Sequence, residues 1–454
     1  MLPYNIVDWW DEIEERSARG IAAAVGRAVR DGSLAPGTRL PTVRAIARRL
    51  GVSPTTVSEA WRELARSGAI ETRGRNGTLV RTPDPVQAPR RYRQVTGGRG
   101  AVDRDLSTGT PDPALLPDLA GAVARVADRW SATASYAEDP VDPGLAAALH
   151  ARWPVAPEAL TVTDGAMDAL DRVLRELMAI GDRVLVEDPT FPPLLDLLEV
   201  LGARAVGVAV DPHGVRPDVL AEALDRHRPV AVVIQPRAQN PTGASLTARR
   251  AAELAAVIAG HDVWVVEDDH SGDIATAPPV TLARHLPHRT VTVLGFSKSH
   301  GPDLRIAAVG GAAGPVEAVA TRRQLGPGWS SRLLQAALAD MLTHPGTTDV
   351  VRTARDAYRD RRRRVVSALA ERGIDVVAGD GINLWLPVAD EQHALVAAAA
   401  RGVAVAPGSP FRVAEDGTGG AHVRVTVATI EPLDEGLLDA LVAAAAPPGR
   451  PGGA

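Results

Sequence analysis

The stretch Gly295-Phe296-Ser297-Lys298-Ser299-His300-Gly301-Pro302-Asp303-Leu304-Arg305 holds the one lysine of the chain. The other 49 of the 50 Lys and Arg residues are arginine. Arginine keeps its proton near neutrality, whereas a desolvated lysine can become a neutral amine and condense with a carbonyl group. A lone lysine among so many arginines is therefore poorly explained as a surface charge. We expect Lys298 to form a Schiff base with a carbonyl ligand; the alternative is an ordinary solvent-exposed lysine.

Length and composition set the class of protein. The chain has 454 residues, of which 45% are hydrophobic, which predicts two or three domains with a large core. It has no cysteine, so disulfides, thiolate metal sites and cysteine nucleophiles are excluded. No apolar run approaches the ~20 residues of a membrane span, and the acidic N-terminus does not resemble a signal peptide. We expect a cytoplasmic protein.

The net charge of −5 is unevenly distributed. Residues 19–82 carry a net charge of +8, the first eighteen residues −4, and the chain from Pro83 onward −9. A basic module attached to an acidic body suggests that one part of the protein faces nucleic acid and the other does not.

Three helices and a hairpin are predicted within residues 1–81. The first helix ends near Asp31. Thr42 is placed to cap the second helix and Ser53 the third, whose first position is occupied by Pro54. Two short strands follow at Ala69–Arg73 and Thr78–Arg81, joined by the hairpin turn Gly74-Arg75-Asn76-Gly77.

This order of elements is typical of a winged helix–turn–helix that binds DNA. The segment PGTRLPTVRAIARRLGVSPTTVSEAWRELARSGAIETRGRNGTLV, residues 36–80, resembles the DNA-binding domain of GntR-family repressors. Pro54 and Ser58 stand where family members often carry arginine, so we expect the base specificity to differ. The alternative is a basic, solvated helical module. The resemblance assigns backbone phosphate to Arg44, the major groove to Thr55 and Thr56, and the minor groove to Arg75 and Asn76.

Residues 82–104 contain proline, glycine and arginine without an apolar period, which predicts a flexible linker. From Asp105, apolar strands alternate with helices, which predicts an α/β domain with a mainly parallel sheet. We assign a large domain up to about residue 330, a small α+β domain at about 331–446, and a disordered tail at 447–454. The predicted strands of the large domain are Ala159–Val162, Asp182–Val186, Ala205–Val210, Val230–Gln235, Val263–Glu267, Val291–Gly295 and Ile306–Gly310.

A glycine, an aromatic residue and an asparagine follow three of these strands. In such folds ligand sites lie at the carboxyl ends of the strands. Gly165 opens a helix whose N–H groups can face an anion. Phe191 lies in Glu187-Asp188-Pro189-Thr190-Phe191, as either a core residue or a ring that stacks on a flat ligand. Asn240 begins an Asn-Pro-Thr-Gly run, which can be a simple turn or can present the amide to a ligand.

Charged side chains follow the later strands. Asp268 and His270 are two residues apart and point to one face of an extended chain, an arrangement that suits a metal ion or a carboxylate partner for a pyridine nitrogen. Arg305, seven residues after Lys298, can pair with a phosphate.

In this order, these residues resemble the fold type I aminotransferases that use pyridoxal 5′-phosphate (PLP), over about Asp105–Ala445. With the winged helix in front, the whole chain resembles a MocR-type regulator. The resemblance implies that Lys298 carries PLP and that Asp268 is its catalytic partner at the ring nitrogen. The remaining cofactor contacts that it implies are Asn240 at the ring hydroxyl, Phe191 stacked on the ring, His270 beside it, and Gly165, Ala166, Met167, Ser297 and Arg305 near the phosphate.

The resemblance also implies a homodimer with an effector site. Tyr136 matches a tyrosine that reaches the phosphate of the partner subunit. Gly109 lies in a loop on the substrate side, and Arg424 binds an amino acid carboxylate, although a lone strand arginine is usually exposed. His270 stands where a tyrosine is usual and Gly295 where a hydroxyl is common, which leaves the cofactor affinity open.

Two functions remain. The first is a transcriptional regulator that binds an operator with two half-sites and responds to an amino acid, an amine or PLP itself. The second is a working aminotransferase with an accessory winged helix. The basic N-terminal module favours the regulator, because an enzyme alone has no use for it.

Overall fold

The computed structural model describes residues 13, 16–30, 33–35, 37–66, 70–72, 77–80, 90–96, 102–128, 135–136, 138–413 and 420–447. The chain forms two compact units, one consisting mainly of the residues up to Ala88 and the other of the residues from Pro89. In the described part of the chain, no helix is both long enough and apolar enough to cross a membrane.

The first unit is a three-helix module with a small antiparallel sheet in the order β1-β3-β2. Ile21, Val57, Trp61 and Leu64 are among the buried side chains of its core. The predicted winged helix–turn–helix is thus confirmed, while the turn at 73–76 lies outside the described residues. Its elements are α1 (Ala18–Arg30), β1 (Arg39–Leu40), α2 (Val43–Leu50), α3 (Pro54–Arg66), β2 (Ile70–Thr72) and β3 (Thr78–Val80).

Local sequence explains where α2 and α3 begin. The hydroxyl of Thr42 accepts the N–H of Ala45 at 3.3 Å, and Gly51 ends α2 with φ 67°. The hydroxyl of Ser53 accepts the N–H of Thr56 at 3.1 Å, and Pro54 occupies the first helical position. Each cap satisfies a backbone group that the helix itself leaves unpaired.

The second unit contains a large and a small domain. Its helices are α4 (Arg90–Thr96), α5 (Leu119–Ala127), α6 (Pro143–Arg152), α7 (Ala166–Leu177), α8 (Pro192–Val200), α9 (Pro217–His227), α10 (Ala248–Ala259), α11 (Ala313–Gln324), α12 (Arg332–Thr343), α13 (Pro345–Glu371), α14 (Glu391–Ala399) and α15 (Glu435–Ala445). Its strands are β4 (Arg104–Asp105), β5 (Ala159–Thr163), β6 (Arg183–Asp188), β7 (Arg204–Asp211), β8 (Gly214–Val215), β9 (Ala231–Ile234), β10 (Trp264–Asp269), β11 (Thr290–Gly295), β12 (Ala307–Gly311), β13 (Asn383–Pro387), β14 (Val403–Ala404), β15 (Ala406–Pro407) and β16 (His422–Thr426).

The large domain is built on a sheet with the strand order β5-β12-β11-β10-β9-β6-β7-β8. All seven predicted strands are present, and the two-residue β8 adds an eighth at the edge. Strands β11, β10, β9, β6 and β7 are parallel neighbours, whereas β12 runs antiparallel to β11 and β5. The carboxyl ends of the parallel strands therefore meet at one edge, and their loops form the site described below.

The small domain has a three-stranded antiparallel sheet in the order β13-β16-β15. Its core combines these strands with side chains of α13, α14 and α15. Strand β4 pairs with β14, so residues 104–105 join this domain although they precede the large domain in sequence.

Part of the stretch predicted as a flexible linker is structured. Residues 90–96 form α4, and Val95 is buried in the second unit. The prediction of a flexible linker over residues 82–104 is therefore wrong for residues 90–96. The sequence shows no apolar period here because α4 is only seven residues long. The N–H groups that open the helix are bound by Asp196, which is distant in sequence and gives no local signal.

Candidate cofactor and effector site

Lys298 lies just after β11, at the edge of the sheet where the parallel strands end. Its amine donates a hydrogen bond to the carbonyl oxygen of Gly109 at 2.7 Å. Burial, helped by the positive charge of Arg424, lowers the pKa of Lys298 to about 8. A substantial fraction of the amine is therefore neutral near pH 7, as condensation with a carbonyl requires.

Asp268 is buried near the end of β10. Its Oδ2 accepts a hydrogen bond from Nε2 of Gln235 at 2.7 Å, whereas Oδ1 has no partner among the described residues. Burial raises the pKa of Asp268 to about 6, against the effect of the Gln235 hydrogen bond. The carboxylate thus has a fixed orientation and one free oxygen that can accept a proton donor.

Gln235 is a site residue to which sequence reasoning gave no role. Besides Asp268, it binds Asn240, whose N–H donates to Oε1 of Gln235 at 2.8 Å. The N–H of Gln235 donates to Oε2 of Glu187 at 3.1 Å, and burial raises the pKa of Glu187 to about 8. One side chain therefore fixes two predicted cofactor contacts. A polar residue directly after the apolar run Ala231–Ile234 was the signal available in the sequence.

Arg424 is buried in β16, although a lone arginine in a strand is usually exposed. Its Nη2 donates to the carbonyl oxygen of Ser107, and its Nη1 lies 3.4 Å from Oδ1 of Asn240. Nε has no partner among the described residues. Burial lowers the pKa of Arg424 to about 10, so the group remains cationic at neutral pH. A buried cation with a free N–H can bind a carboxylate.

Gly109 connects Lys298 to Arg424. Its φ is 63°, and its N–H donates to the hydroxyl of Thr426 at 2.8 Å. A Cβ atom at this position would lie 3.0 Å from Nη1 of Arg424. Both the backbone conformation and the close approach of the guanidinium therefore favour glycine here.

Gly165, Ala166 and Met167 form the start of α7, which has no side-chain cap. Gly165 has φ 102°, and a Cβ atom there would lie 2.7 Å from Nη2 of Arg305. That nitrogen donates to the carbonyl oxygen of Asp164 at 3.1 Å. Free N–H groups at a helix N-terminus beside an exposed arginine form a suitable anion site. The structure thus brings Arg305 beside Gly165 at the start of α7.

His270 and Gly295 face each other. Burial and the charge of Lys298 lower the pKa of His270 to about 3, so its ring is neutral. Its Nδ1 has no partner among the described residues, and its Nε2 lies 3.2 Å from the hydroxyl of Ser271. A Cβ atom on residue 295 would lie 3.3 Å from Cα of His270. Any side chain at position 295 would therefore crowd the backbone of residue 270, which favours glycine at 295 whichever residue stands at 270.

Phe191 and Ser297 are half-buried at strand ends of the same sheet. Phe191 directly precedes α8 in the loop after β6, and Ser297 directly precedes Lys298. Tyr136 is different. It is 94% exposed, and its ring centroid lies 5.7 Å from that of Trp329, not beside Lys298.

The residues predicted to bind DNA lie in the first unit. Arg44 on α2 and Thr55 on α3 are exposed. Thr56 is partly exposed, with its hydroxyl 2.8 Å from that of Ser53. Arg75 and Asn76 lie outside the described residues. As for the metal alternative, no cluster of three or more His, Asp or Glu side chains in the described part of the chain could hold a metal ion.

A winged helix–turn–helix joined to a fold type I aminotransferase domain defines a class of transcriptional regulators. Sequence comparison agrees. Residues 17–80 match the model of the bacterial regulatory proteins of the gntR family, and residues 105–441 match that of the class I and II aminotransferases. The chain belongs to the aminotransferase class I and II family and carries a gntR-family DNA-binding domain.

Two curated relatives are regulators. The chain is 34% identical to the vitamin B6 salvage pathway transcriptional repressor PtsJ of Salmonella typhimurium, over 92% of this chain and 96% of PtsJ. It is 30% identical to the pyridoxine biosynthesis transcriptional regulator PdxR of Corynebacterium glutamicum, over 76% and 77% of the two chains. Among solved structures, the α-aminoadipate aminotransferase LysN of Thermus thermophilus has the same fold, with a TM-score of 0.69 and 24% identity over 79% of this chain and 94% of LysN.

PLP is the cofactor indicated by the aminotransferase class I and II family to which the chain belongs. The LysN structure, which shares the fold, contains N-(5′-phosphopyridoxyl)-L-leucine. The side chains of this protein fit such a group. Asp268 Oδ1 and His270 Nδ1 are buried polar atoms without a partner in the part of the chain that the structure describes, and no side chain caps the start of α7 there. Buried polar atoms are normally paired, so unpaired atoms beside a lysine with a lowered pKa are suited to a polar ligand.

Proposed function

We propose that the protein is a cytoplasmic transcriptional regulator whose DNA affinity is controlled by ligands bound around Lys298. The observation that carries the proposal is the joint presence of Lys298, Asp268 and Arg424 in one buried site of a chain that begins with a DNA-binding module. Because the chain also carries a basic DNA-binding unit, ligand binding at this site can control DNA binding as well as serve catalysis.

Each residue of the site has a proposed role. Lys298 supplies the neutral amine that attaches PLP, and the carbonyl oxygen of Gly109 accepts a hydrogen bond from this amine. Asp268, held by Gln235, faces the ring nitrogen with its free oxygen and so keeps that nitrogen protonated. PLP, once bound, supplies an aldehyde and an electron-withdrawing ring.

The other contacts orient the cofactor. Asn240 is proposed to bind the ring hydroxyl beside the neutral His270, and Phe191 to stack on the ring. The phosphate is proposed to bind the first N–H groups of α7 together with Ser297 and Arg305.

PLP itself is the proposed first effector. Two relatives with 34% and 30% identity are named as regulators of vitamin B6 salvage and of pyridoxine biosynthesis. A protein that holds PLP through a single lysine can report whether PLP is abundant. The free Nε of Arg424 offers a further contact to a carboxylate, so an amino acid or a related amine is the proposed second effector.

A homodimer with two DNA-binding units is the proposed functional form. Tyr136 is highly exposed beside Trp329, which suits a residue that reaches a partner subunit. Two linked DNA-binding units bind two half-sites with a high effective concentration for the second contact. The operator is therefore expected to contain a repeated half-site.

Footprinting tests this proposal. DNA bound by the protein is selected from a genomic fragment library, and protection is mapped with and without PLP and a panel of amino acids. Two protected half-sites are expected, with PLP changing their affinity in the wild type but not in Lys298→Ala. Arg424→Ala is expected to keep the PLP response and lose any amino acid response. DNA binding that is equal in the wild type under all conditions would contradict regulation.

A working aminotransferase is the second candidate, because lysine, aspartate and arginine are all present in one site. Single-turnover conversion of an amino acid to its keto acid by the PLP-loaded protein tests it. Repeated turnover without any ligand effect on DNA binding would favour the enzyme.

A further inference from the structure

Helix α4 is the first described element of the second unit in chain order, and it is fixed to α8 of the large domain. Oδ1 of Asp196 accepts the N–H of Arg91 at 3.2 Å, and Oδ2 accepts the N–H of Tyr92 at 3.0 Å. Nη1 of Arg91 also lies 3.3 Å from Oε2 of Glu199. Asp196 is buried, so α4 supplies the hydrogen bonds that a buried polar group requires.

The same helix packs on the small domain beside Arg424. Val95 is buried in a cluster with Ala406 and Phe411. The ring centroid of Phe411 lies 5.1 Å from Cζ of Arg424, within the range of a cation–π contact. Helix α4 therefore contacts the aromatic ring that packs against the proposed effector cation.

Phe411 is also tied to the large domain. Its carbonyl oxygen accepts the N–H of Thr190 at 2.8 Å, next to Phe191 in the loop after β6. The N–H of Val413 lies 3.3 Å from Oδ1 of Asp188, the last residue of β6, directly before this loop. A displacement of Phe411 would disturb α4 and this loop together.

Arg424 has two acceptors within the protein. Its Nη2 is bonded to Ser107 and its Nη1 lies near Asn240, while its Nε has no partner among the described residues. A carboxylate bound by Nε and one of the Nη groups would place a negative charge beside the guanidinium. That charge would weaken the attraction between the guanidinium and the ring of Phe411.

We propose that Val95 and Phe411 position Arg424, so that binding at the carboxylate site and the docking of α4 are coupled, and that α4 passes this coupling to the chain leading to the DNA-binding unit. The last step rests on the proposed function. Coupling between two sites is reciprocal, so loosening either end must affect the other.

A spin label on α4 tests the positioning step without a DNA readout. The chain has no cysteine, so Gln94→Cys, at an exposed position of α4, gives a single labelling site for a nitroxide. In the PLP-loaded protein, Arg424→Leu and Phe411→Leu are each expected to increase the mobility of the label. Arg362→Leu is the matched control, because Arg362 is equally buried but contacts Gly381 and Asp380 instead. Unchanged mobility in both test variants, with normal PLP absorbance, overturns the inference.

The DNA readout uses Asp196→Asn, with Asp171→Asn on α7, a partly exposed carboxylate, as the control. In PLP-loaded protein, the ratio of DNA affinities with and without the amino acid that gives the largest footprinting response is expected to fall at least fivefold in Asp196→Asn and to stay at the wild-type value in Asp171→Asn. An Asp196→Asn protein with the full wild-type ratio and a mobile label contradicts the coupling. A wild type whose DNA affinity changes with neither PLP nor an amino acid contradicts the proposed function instead, and the label experiment still decides the positioning of Arg424.

Discussion

Capture of PLP by the apoprotein should depend on pH in a way set by Lys298. The environment of this residue lowers its pKa from 10.5 to about 8, first through burial and then through the charge of Arg424. At pH 7 the neutral fraction of the amine then rises from about 0.03% to about 9%, a gain of about 300-fold. Because the neutral amine is the reactive form, the capture rate should fall about tenfold per pH unit below pH 8 and level off above it.

The assay follows the visible absorbance of PLP after it is mixed with apoprotein in stopped flow between pH 6 and pH 10. Borohydride reduction and peptide mass analysis locate the adduct, which can form on one lysine side chain only. Arg424→Leu removes a neighbouring positive charge and should move the midpoint to higher pH, whereas Arg362→Leu should not. A capture rate that keeps rising tenfold per unit up to pH 10, or an equal adduct in Lys298→Ala, would refute the reasoning.

Three further predictions concern the two units. Asp268→Ala should weaken PLP binding about 10- to 100-fold in equilibrium dialysis, because a hydrogen bond to a charged group contributes roughly 1.5–3 kcal/mol. The control Asp218→Asn, at an exposed position, should leave PLP binding unchanged. If a chelator removed the visible absorbance while Asp268→Ala kept it, a metal site would be indicated. Arg44→Ala should weaken DNA binding similarly for all sequences and reduce the salt slope by about one, as measured by anisotropy; an unchanged slope argues against a phosphate contact. Trp61→Ala should destabilise the first unit by about 3–5 kcal/mol in calorimetry, because it removes a large buried side chain. Loss of PLP binding in this variant would contradict the view that the two units fold independently.

The large-domain strands and the lysine were predictable from the sequence because their signals are local. Apolar runs bounded by turn residues gave strands within about two residues of their observed ends, as for β11 and β12. The uniqueness of Lys298 is a property of composition alone. The loops after the strands could be placed together because parallel strands bring their carboxyl ends to one edge.

Features that depend on distant partners could not be predicted. Helix α4 is capped by Asp196, about a hundred residues away in sequence, and is too short to show a helical period. Gln235 became significant only when β9 and β10 placed it beside Asp268. The burial of Arg424 depends on β13 and β15 on either side of its strand. In each case the sequence gives the residue type but not the contact that defines its role.

The central claim is that ligand binding at Lys298 changes DNA binding. Its most direct test is the affinity of the protein for its selected operator, measured by fluorescence anisotropy at fixed salt, with apoprotein and with PLP-loaded protein. A difference of at least fivefold is expected for the wild type, and none for Lys298→Ala. Equal affinities of the apo and PLP-loaded wild type would contradict the account.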